Sequence, residues 1–168
     1  MSMIDDESPV VHVVRAGEGP ATWVVGDTYT FKATRESTGG GFALVEASVP
    51  PGSGPPPHLH TREDEAFYLL DGELRVTAGG QTTLLRAGDF VFLPRGIVHS
   101  FTNPSVTAAR ALMLITPGGF EKFFQEVGTA ARAGEPAPPF DPADIPRLAE
   151  ATQRYGGQVL APTGAPTH

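Results

Sequence analysis

The sequence predicts an antiparallel all-β domain that closes into a barrel or folds as a double-sheet jelly roll. Glycine (20) and proline (17) together make up about a fifth of the 168 residues, nearly double their ordinary usage. The apolar residues fall in short runs that glycine- and proline-containing turns separate, which is typical of antiparallel strands. Roughly ten such runs favour a closed or two-sheet arrangement, because both limit the number of unpaired strand edges.

Short turn signals separate the predicted strands. The signals are Gly39-Gly40-Gly41, Asp71-Gly72, Gly79-Gly80, Gly88-Asp89 and Pro94-Arg95-Gly96. The predicted strands cover residues 10–15, 23–25, 29–34, 42–49, 65–70, 73–77, 82–86, 90–93, 98–102 and 109–116. Residues 50–57, Pro-Pro-Gly-Ser-Gly-Pro-Pro-Pro, are not assigned to a central strand because proline donates no backbone hydrogen bond. We expect this stretch to be a rigid lead-in to His58.

Two helices are predicted beyond residue 116. The first presents one apolar face at the i, i+3, i+4 and i+7 positions, formed by Phe120, Phe123, Phe124 and Val127. Gly128 is its predicted stop. The second covers residues 141–155, with Asp141 as its cap, Ile145 and Leu148 facing inward, and the two following glycines as its stop.

The chain has no detectable internal repeat and is interpreted as one domain in three parts. Residues 1–116 are assigned to the barrel with its N-terminal strands, residues 117–160 to a helical extension of the same domain, and residues 161–168 to a flexible tail. Hydrophobic residues make up 40% of the sequence, which is sufficient for a sizeable core.

Composition and charge exclude several classes of function. The chain has no cysteine, so any transition metal must be held by imidazole and carboxylate groups. The net charge is −7 and the only lysines are Lys32 and Lys122, which argues against nucleic-acid binding. No apolar run approaches the roughly 18 residues of a membrane span. Asp5, Asp6 and Glu7 stand where a secretory signal would be basic and then apolar, so a cytoplasmic protein is expected.

Three histidines have the spacing of metal ligands. His58 and His60 are two residues apart, which places both imidazoles on one face of a strand. His99 follows a Pro-x-Gly turn at the start of an apolar strand, from which it could face the same cavity. Such a set needs a carboxylate to complete a site for a divalent transition metal.

The carboxylate is left open by strand periodicity. Glu63, Asp64 and Glu65 all follow the histidine pair closely. If the strand runs straight on, Asp64 shares the face of His60. If the chain turns at residues 61–64, Glu65 begins the next strand and faces the same way as Phe67.

Two complete motifs resemble those of the cupin superfamily. Residues 52–72 contain Gly52-x5-His58-x-His60-x4-Glu65-x6-Gly72, and residues 88–103 contain Gly88-x5-Pro94-x-Gly96-x2-His99-x3-Asn103. The resemblance implies a six-to-eight-stranded double-stranded β-helix, and it implies Glu65 as the carboxylate. It places His58, His60, Glu65 and His99 around one divalent metal. Imidazole and carboxylate ligands leave Ni, Mn, Fe, Co, Cu and Zn all open.

The C-terminal region resembles single-domain quercetinase-like cupins. The run from Thr116 to Phe124, a proline-rich loop and the last helix carry this resemblance, which implies that two helices cover the barrel mouth. It implies a metal-dependent dioxygenase for an enolisable aromatic, flavonol- or polyketide-like molecule, with Glu65 as the general base, and a homodimer. The alternatives are a non-redox cyclase or isomerase that uses the metal as a Lewis acid, and a non-enzymatic small-molecule-binding protein.

Four apolar strand residues are predicted to lie in the core, where they would also line a barrel pocket. They are Phe67, Phe92, Phe101 and Leu114. Tyr68 points away from Glu65 in the same strand and is predicted to lie on the exterior or in an interface.

Overall fold

Two antiparallel sheets and two helices make up the computed structural model, which describes residues 10–160. The strands are β1 (Ala21–Val24), β2 (Asp27–Ala33), β3 (Ala43–Val49), β4 (His58–His60), β5 (Asp64–Asp71), β6 (Glu73–Ala78), β7 (Gln81–Arg86), β8 (Phe90–Leu93), β9 (His99–Thr102), β10 (Ala109–Thr116), β11 (Thr129–Ala130) and β12 (Gly157–Val159). The helices are α1 (Glu121–Val127) and α2 (Ile145–Arg154), and a 3-10 turn at Pro142–Asp144 precedes α2.

One apolar core lies between the two sheets. The first sheet has the strand order β11-β1-β2-β3-β10-β5-β8, and the second has the order β12-β4-β9-β6-β7. Residues alternate between buried and partly exposed along β2 and β3, as expected for strands with one covered face. Phe67 of β5 meets Phe101 of β9 edge-on across the core, with 5.5 Å between ring centroids. This two-sheet arrangement confirms the predicted jelly-roll class.

Nine of the ten predicted strands are present, with ends that differ by at most two residues. The predicted strand at residues 10–15 is wrong. Its valines are exposed, Val10 by 90% and Val11 by 85%, and it is attached to β2 through a hydrogen bond between the His12 ring and the Lys32 carbonyl. β1 pairs with the first four residues of β2 and β3 pairs along its other edge, so β2 offers this segment only its last residues, where the Lys32 carbonyl meets a side chain and not a backbone N–H. The three short strands β4, β11 and β12 were not in the predicted set.

The two predicted helices are confirmed. α1 ends at Gly128, whose N–H donates to the Phe124 carbonyl at 3.0 Å. Asp141 caps the 3-10 turn by accepting a hydrogen bond from the Ala143 N–H at 2.9 Å. Leu148 is buried as predicted, whereas Ile145 is 38% exposed, because it lies at the first turn of α2, on the rim of a pocket.

The C-terminal end of α2 leads directly back to the barrel. Gly156 ends the helix with a φ of +79°, a conformation that glycine adopts without strain. The following residue, predicted as part of the stop, instead begins β12, which pairs with β4. The helices are therefore attached to the strand that carries His58 and His60.

The proline-rich lead-in to β4 is irregular, as predicted, and it is attached to the end of β9. Gly52 donates its N–H to the Asn103 carbonyl at 2.9 Å, and Asn103 donates its own N–H to the Ser53 carbonyl at 3.0 Å. The Asn103 side chain donates to the Val49 carbonyl at 2.8 Å. These bonds fix the lead-in against the strand that begins with His99.

The prediction for the four apolar strand residues is half correct. Phe67 and Phe101 are buried in the core, but Phe92 is 56% exposed and Leu114 is 37% exposed. In β8 both faces are apolar, so periodicity does not indicate which face the second sheet covers. In β10, Leu114 shares the outward face with Arg110, and the alternation of that strand was not used in the prediction. Tyr68 is 46% exposed, in agreement with its predicted exterior position.

None of the helices within residues 10–160 is long and apolar enough to cross a bilayer. The acidic residues 5–7 and the predicted tail at 161–168 lie outside the described residues.

Candidate metal centre

Three strands bring together the four side chains that the motifs single out. His58 and His60 are the ends of β4, Glu65 is the second residue of β5, and His99 is the first residue of β9. One ligand atom from each lies within 4.8 Å of the others, and His60, Glu65 and His99 are buried. His58 and His99 are direct partners in the β4–β9 pairing. We call these four residues the His/Glu cluster.

Glu65 is the member of the acidic triplet that joins the cluster. The chain turns after His60 and enters β5 at Asp64, which places successive side chains on opposite faces of the sheet. Asp64 faces outward and forms an ion pair with Arg95, with 3.0 Å between Oδ2 and the guanidinium nitrogen. Glu63 lies beside Gly119 at the start of the C-terminal region. The turn between β4 and β5 therefore decides which carboxylate joins the histidines, a choice that strand periodicity left open.

Backbone carbonyls orient two of the imidazoles. The Nδ1 of His58 lies 2.9 Å from the Pro56 carbonyl, and the Nδ1 of His99 lies 3.1 Å from the Ile97 carbonyl. A carbonyl only accepts, so each Nδ1 carries the proton and each Nε2 keeps its lone pair. This arrangement, in which the outer nitrogen is bonded to protein, is the usual one for metal-binding histidines.

The third imidazole has no such support. Neither ring nitrogen of His60 has a hydrogen-bond partner among the described residues, although the side chain is only 2% exposed. Its Nε2 lies 3.5 Å from Glu65 Oε1, and its ring packs edge-on against Phe120 with 4.1 Å between centroids. Buried polar atoms without partners are rare in folded proteins, so His60 indicates a ligand at this point.

The contacts of Glu65 show what kind of ligand fits. Its Oε2 lies 3.0 Å from His99 Nε2, and the single proton of a neutral His99 is already used at Nδ1. A carboxylate oxygen and an imidazole lone pair both accept hydrogen bonds, so they stay at this distance only with a positive species between them. The donor set and the unpartnered His60 nitrogens both fit a divalent metal ion.

The protonation states also suit a metal. Burial, together with the neighbouring His99 and His60, lowers the pKa of His58 to about 3. Burial also lowers the pKa of His60. For Glu65, burial acts to raise the pKa, but His60 and the hydrogen bond from His99 outweigh it and hold the pKa at about 2. For His99, burial acts to lower the pKa, but the hydrogen bond to Glu65 and the Glu65 charge outweigh it and raise the pKa above its usual value. The cluster therefore presents neutral His58 and His60 rings beside an ionised Glu65, and a metal bound here would take the place of the proton between His99 and Glu65.

An apolar pocket borders the His/Glu cluster. His58, His60 and Glu65 form part of its wall, and most of the remaining wall consists of apolar side chains from the sheets and from both helices. The large apolar side chains of this wall, which are typical of ligand-binding pockets, include Phe101, Met113, Phe120, Phe124 and Leu148. The C-terminal helices, which were predicted to cover the barrel mouth, thus form part of the wall of this pocket.

Sequence reasoning missed one polar group in the pocket. Tyr29 of β2 lines it, and its hydroxyl donates to the fully buried Asp27 at 3.2 Å. The signal was present in the sequence, because Asp27, Tyr29 and Phe31 alternate on one face of β2. The predicted strand began at residue 29, so Asp27 was left between two predicted strands and was not assigned to either.

The fold and the site agree with the comparison to known families. Residues 45–115, which contain all four members of the His/Glu cluster, match the family described as a cupin domain. Residues 45–115 form a cupin domain. Its double-sheet jelly roll is the cupin fold.

The cupin resembles both curated enzymes and solved structures. It is 30% identical over 122 residues to quercetin 2,3-dioxygenase of Bacillus subtilis, a match that covers 73% of this chain and 36% of that protein. It is 33% identical over 112 residues to quercetin 2,3-dioxygenase of Aspergillus japonicus, covering 61% of this chain and 31% of that protein. The chain therefore spans about a third of the length of these two relatives.

Among solved structures, the cupin is similar to a predicted oxalate decarboxylase from Thermotoga maritima. The TM-score is 0.59 and the sequence identity is 26%, over 62% of this chain and 98% of that one. The match thus takes in nearly the whole of that structure and leaves part of this chain outside it.

Proposed function

We propose that this cupin is a metal-dependent dioxygenase whose substrate is an enolisable aromatic molecule of the flavonol or polyketide type. The observation that carries the proposal is the buried His/Glu cluster, which opens on a pocket with an aromatic, apolar wall. A flat apolar substrate with adjacent hydroxyl and carbonyl oxygens fits both parts, its rings against the apolar wall and its oxygens at the cluster. The two quercetin 2,3-dioxygenases among its relatives support the same interpretation.

The four members of the His/Glu cluster would hold one divalent transition metal. Bound there, the metal would act as a Lewis acid that lowers the pKa of a substrate hydroxyl and brings the substrate and O₂ together. The Pro56 and Ile97 carbonyls hold the His58 and His99 rings in the orientation that leaves their Nε2 atoms free to bind.

Glu65 is the proposed general base. Its carboxylate is buried and ionised, and each of its oxygens faces an imidazole, Oε1 towards His60 and Oε2 towards His99. A carboxylate oxygen at this position can accept the proton of a substrate hydroxyl and hold it while the deprotonated substrate reacts. The lowered pKa of Glu65 means that it accepts this proton only from a hydroxyl that has itself been made acidic.

The aromatic wall has two roles in this proposal. Phe101 and Phe120 present ring surfaces on which a planar substrate can stack, and Phe120 contacts His60 directly. Together with α1 and α2 they also exclude water from the reacting atoms, which protects a deprotonated substrate from reprotonation by solvent.

Metal analysis combined with an oxygen-dependence experiment tests the proposal. Purified protein is loaded separately with each of the six candidate metals, bound metal is measured per chain, and a panel of flavonols and aromatic polyketides is incubated with and without O₂. We expect one metal per chain and substrate loss that is matched by O₂ uptake. His60→Ala protein is the control, since it removes one ligand of the cluster.

Other outcomes identify the alternatives. Equal turnover with and without O₂ would replace the dioxygenase by a cyclase or isomerase that needs the metal only as a Lewis acid. Tight binding of a panel member without turnover, at every metal tested, would indicate a binding protein.

A further inference from the structure

A carboxylate without a cationic partner is buried beside the pocket. Asp27 is 0% exposed on the inward face of β2, and no Lys, Arg or His among the described residues lies within ion-pair distance of it. Its Oδ1 accepts a hydrogen bond from Ser53 Oγ at 2.5 Å, and its Oδ2 accepts one from the Tyr29 hydroxyl at 3.2 Å. Burial of an unpaired carboxyl group is unfavourable, so this arrangement calls for a functional explanation.

Tyr29 connects Asp27 to the pocket. Its ring stacks on Phe124 of α1, with 4.4 Å between centroids, and the same residue lines the pocket that reaches the His/Glu cluster. Burial raises the pKa of Tyr29 well above its usual value, and the nearby Asp27 and Glu65 charges raise it further, so the hydroxyl remains protonated. A tyrosine hydroxyl that donates to Asp27 keeps its oxygen lone pairs as acceptors.

Little else in the wall can bind a polar atom. Outside the His/Glu cluster, the polar side chains that line the pocket, within residues 10–160, are Tyr29 and Thr152. The Thr152 hydroxyl already donates to the Leu148 carbonyl one turn earlier in α2, at 2.7 Å. Tyr29 lies on β2 of the seven-stranded sheet, whereas His58 and His60 lie on β4 of the other sheet. Glu65 lies on β5 of the same sheet as Tyr29, so the cluster bridges both sheets. The pocket thus has two polar places, the His/Glu cluster and Tyr29 on β2, with an apolar wall around them.

We propose that Tyr29, held by Asp27, which Ser53 holds in turn, is a second polar subsite of the pocket, which binds a hydroxyl or carbonyl oxygen on the part of the ligand that faces β2. The ligand class is then a flat apolar molecule with oxygen substituents at both ends, and this assignment rests on the proposed function for the nature of the ligand.

The Asp27 carboxyl group allows the subsite to match either kind of oxygen. When Asp27 is ionised, Tyr29 donates to it and accepts a hydrogen bond from a ligand hydroxyl. When Asp27 is protonated, it can donate to the Tyr29 oxygen, and the Tyr29 hydroxyl is free to donate to a ligand carbonyl. Burial raises the pKa of Asp27 to about 7, against the smaller opposing effects of Ser53 and Tyr29, so both states occur near neutral pH.

Binding of two matched flavonols to the Tyr29→Phe variant tests the subsite. The full chain is loaded with Zn²⁺, which undergoes no redox change, and affinity is measured under anaerobic conditions by fluorescence titration. The probes are 3-hydroxyflavone, whose oxygens lie at one end, and kaempferol, which carries further hydroxyls on its other rings. The variant keeps the ring that stacks on Phe124, and near-ultraviolet circular dichroism checks that the fold is retained.

We expect Tyr29→Phe to weaken kaempferol binding about five- to tenfold, the effect of losing one buried hydrogen bond, and to change 3-hydroxyflavone binding less than about twofold. Asp27→Asn provides a second variant, which keeps the tyrosine but removes the titrating carboxyl, and we expect it to reduce the preference for kaempferol in the same direction. Equal weakening of both probes, or of neither, would overturn the subsite. Failure of both probes to bind the wild type would instead overturn the ligand class, and the proposed function with it.

Discussion

The burial of the unpaired Asp27 leads to a quantitative prediction about the pH dependence of stability. The carboxyl group of an unfolded chain ionises above pH 3.8, whereas burial raises the pKa of Asp27 in the folded protein to about 7. The folded state therefore binds more protons between these values, and its stability falls as the pH rises from about 4 to 7, after which the loss is constant. The difference of about three pKa units corresponds to roughly 4 kcal/mol. Asp27→Asn carries no charge at any pH and is free of this loss.

Urea unfolding of both proteins at a series of pH values measures the effect. The free energy of unfolding of Asp27→Asn minus that of the wild type should rise by up to about 4 kcal/mol between pH 4 and pH 8, and the rise should be complete near pH 7. The histidines and other acids titrate in both proteins, so their contributions cancel in this difference. Loss of a hydrogen bond to Ser53 or Tyr29 would shift the whole curve by about 1 kcal/mol without changing its shape.

Ser53→Ala is the matched control for this experiment. It removes the short hydrogen bond that stabilises the ionised carboxylate and leaves the titrating group in place. We expect this variant to lose more stability at pH 8 than at pH 4, opposite to the pH dependence expected for Asp27→Asn. A difference between Asp27→Asn and the wild type that is the same at every pH would refute the reasoning, because Asp27 would then titrate alike in the folded and unfolded states.

Three further predictions concern the cluster, the surface and the lead-in. Glu65→Gln removes the negative ligand and the proposed base, so the amount of bound metal should fall at least tenfold and turnover should be lost, while circular dichroism stays unchanged. Retention of metal and of turnover would contradict the role of Glu65. Phe90 and Phe92 are 62% and 56% exposed on an edge strand, and we propose that a second copy of this chain covers them. Sedimentation should then show a dimer for the wild type and a monomer for the variant in which both residues are replaced by serine. A monomeric wild type would contradict the proposal. A Cβ at Gly54 would lie 1.9 Å from the Phe101 carbonyl oxygen, so Gly54→Ala should lower the free energy of unfolding by at least about 2 kcal/mol. An unchanged denaturation midpoint would contradict this close approach of the two backbones.

Local patterns predicted the strands well because hydrogen-bonded turns and the two-residue period act over short distances in the chain. The exception at residues 10–15 shows the limit of such patterns. Its valines have the composition of a strand, but a strand also needs a partner with a row of free backbone groups, and β1 and β3 already pair with most of β2. Whether an edge is free depends on the order of strands in the sheet, which periodicity does not contain.

The same limit explains the errors in side-chain orientation. Phe92 was assigned to the core because it is a phenylalanine in a strand, yet Phe90, Val91, Phe92 and Leu93 are all apolar and fit either face. In β2 the opposite error occurred, since Asp27 is a typical turn residue by type but lies on the inward face. Residue type predicts burial only on average, and the second sheet decides which face is covered.

Residue types and their spacing restrict the chemistry that is open to this protein. Without cysteine, and with His58, His60 and His99 in two complete motifs, the sequence restricted a metal site to imidazole and carboxylate ligands, and the resemblance selected Glu65. The packing of the two sheets establishes that these four side chains converge, that carbonyls orient the His58 and His99 rings, and that Tyr29, bonded to Asp27, lines the same pocket. The reason is physical: ligand type belongs to single residues, whereas distance, burial and protonation state arise where strands far apart in the chain pack together.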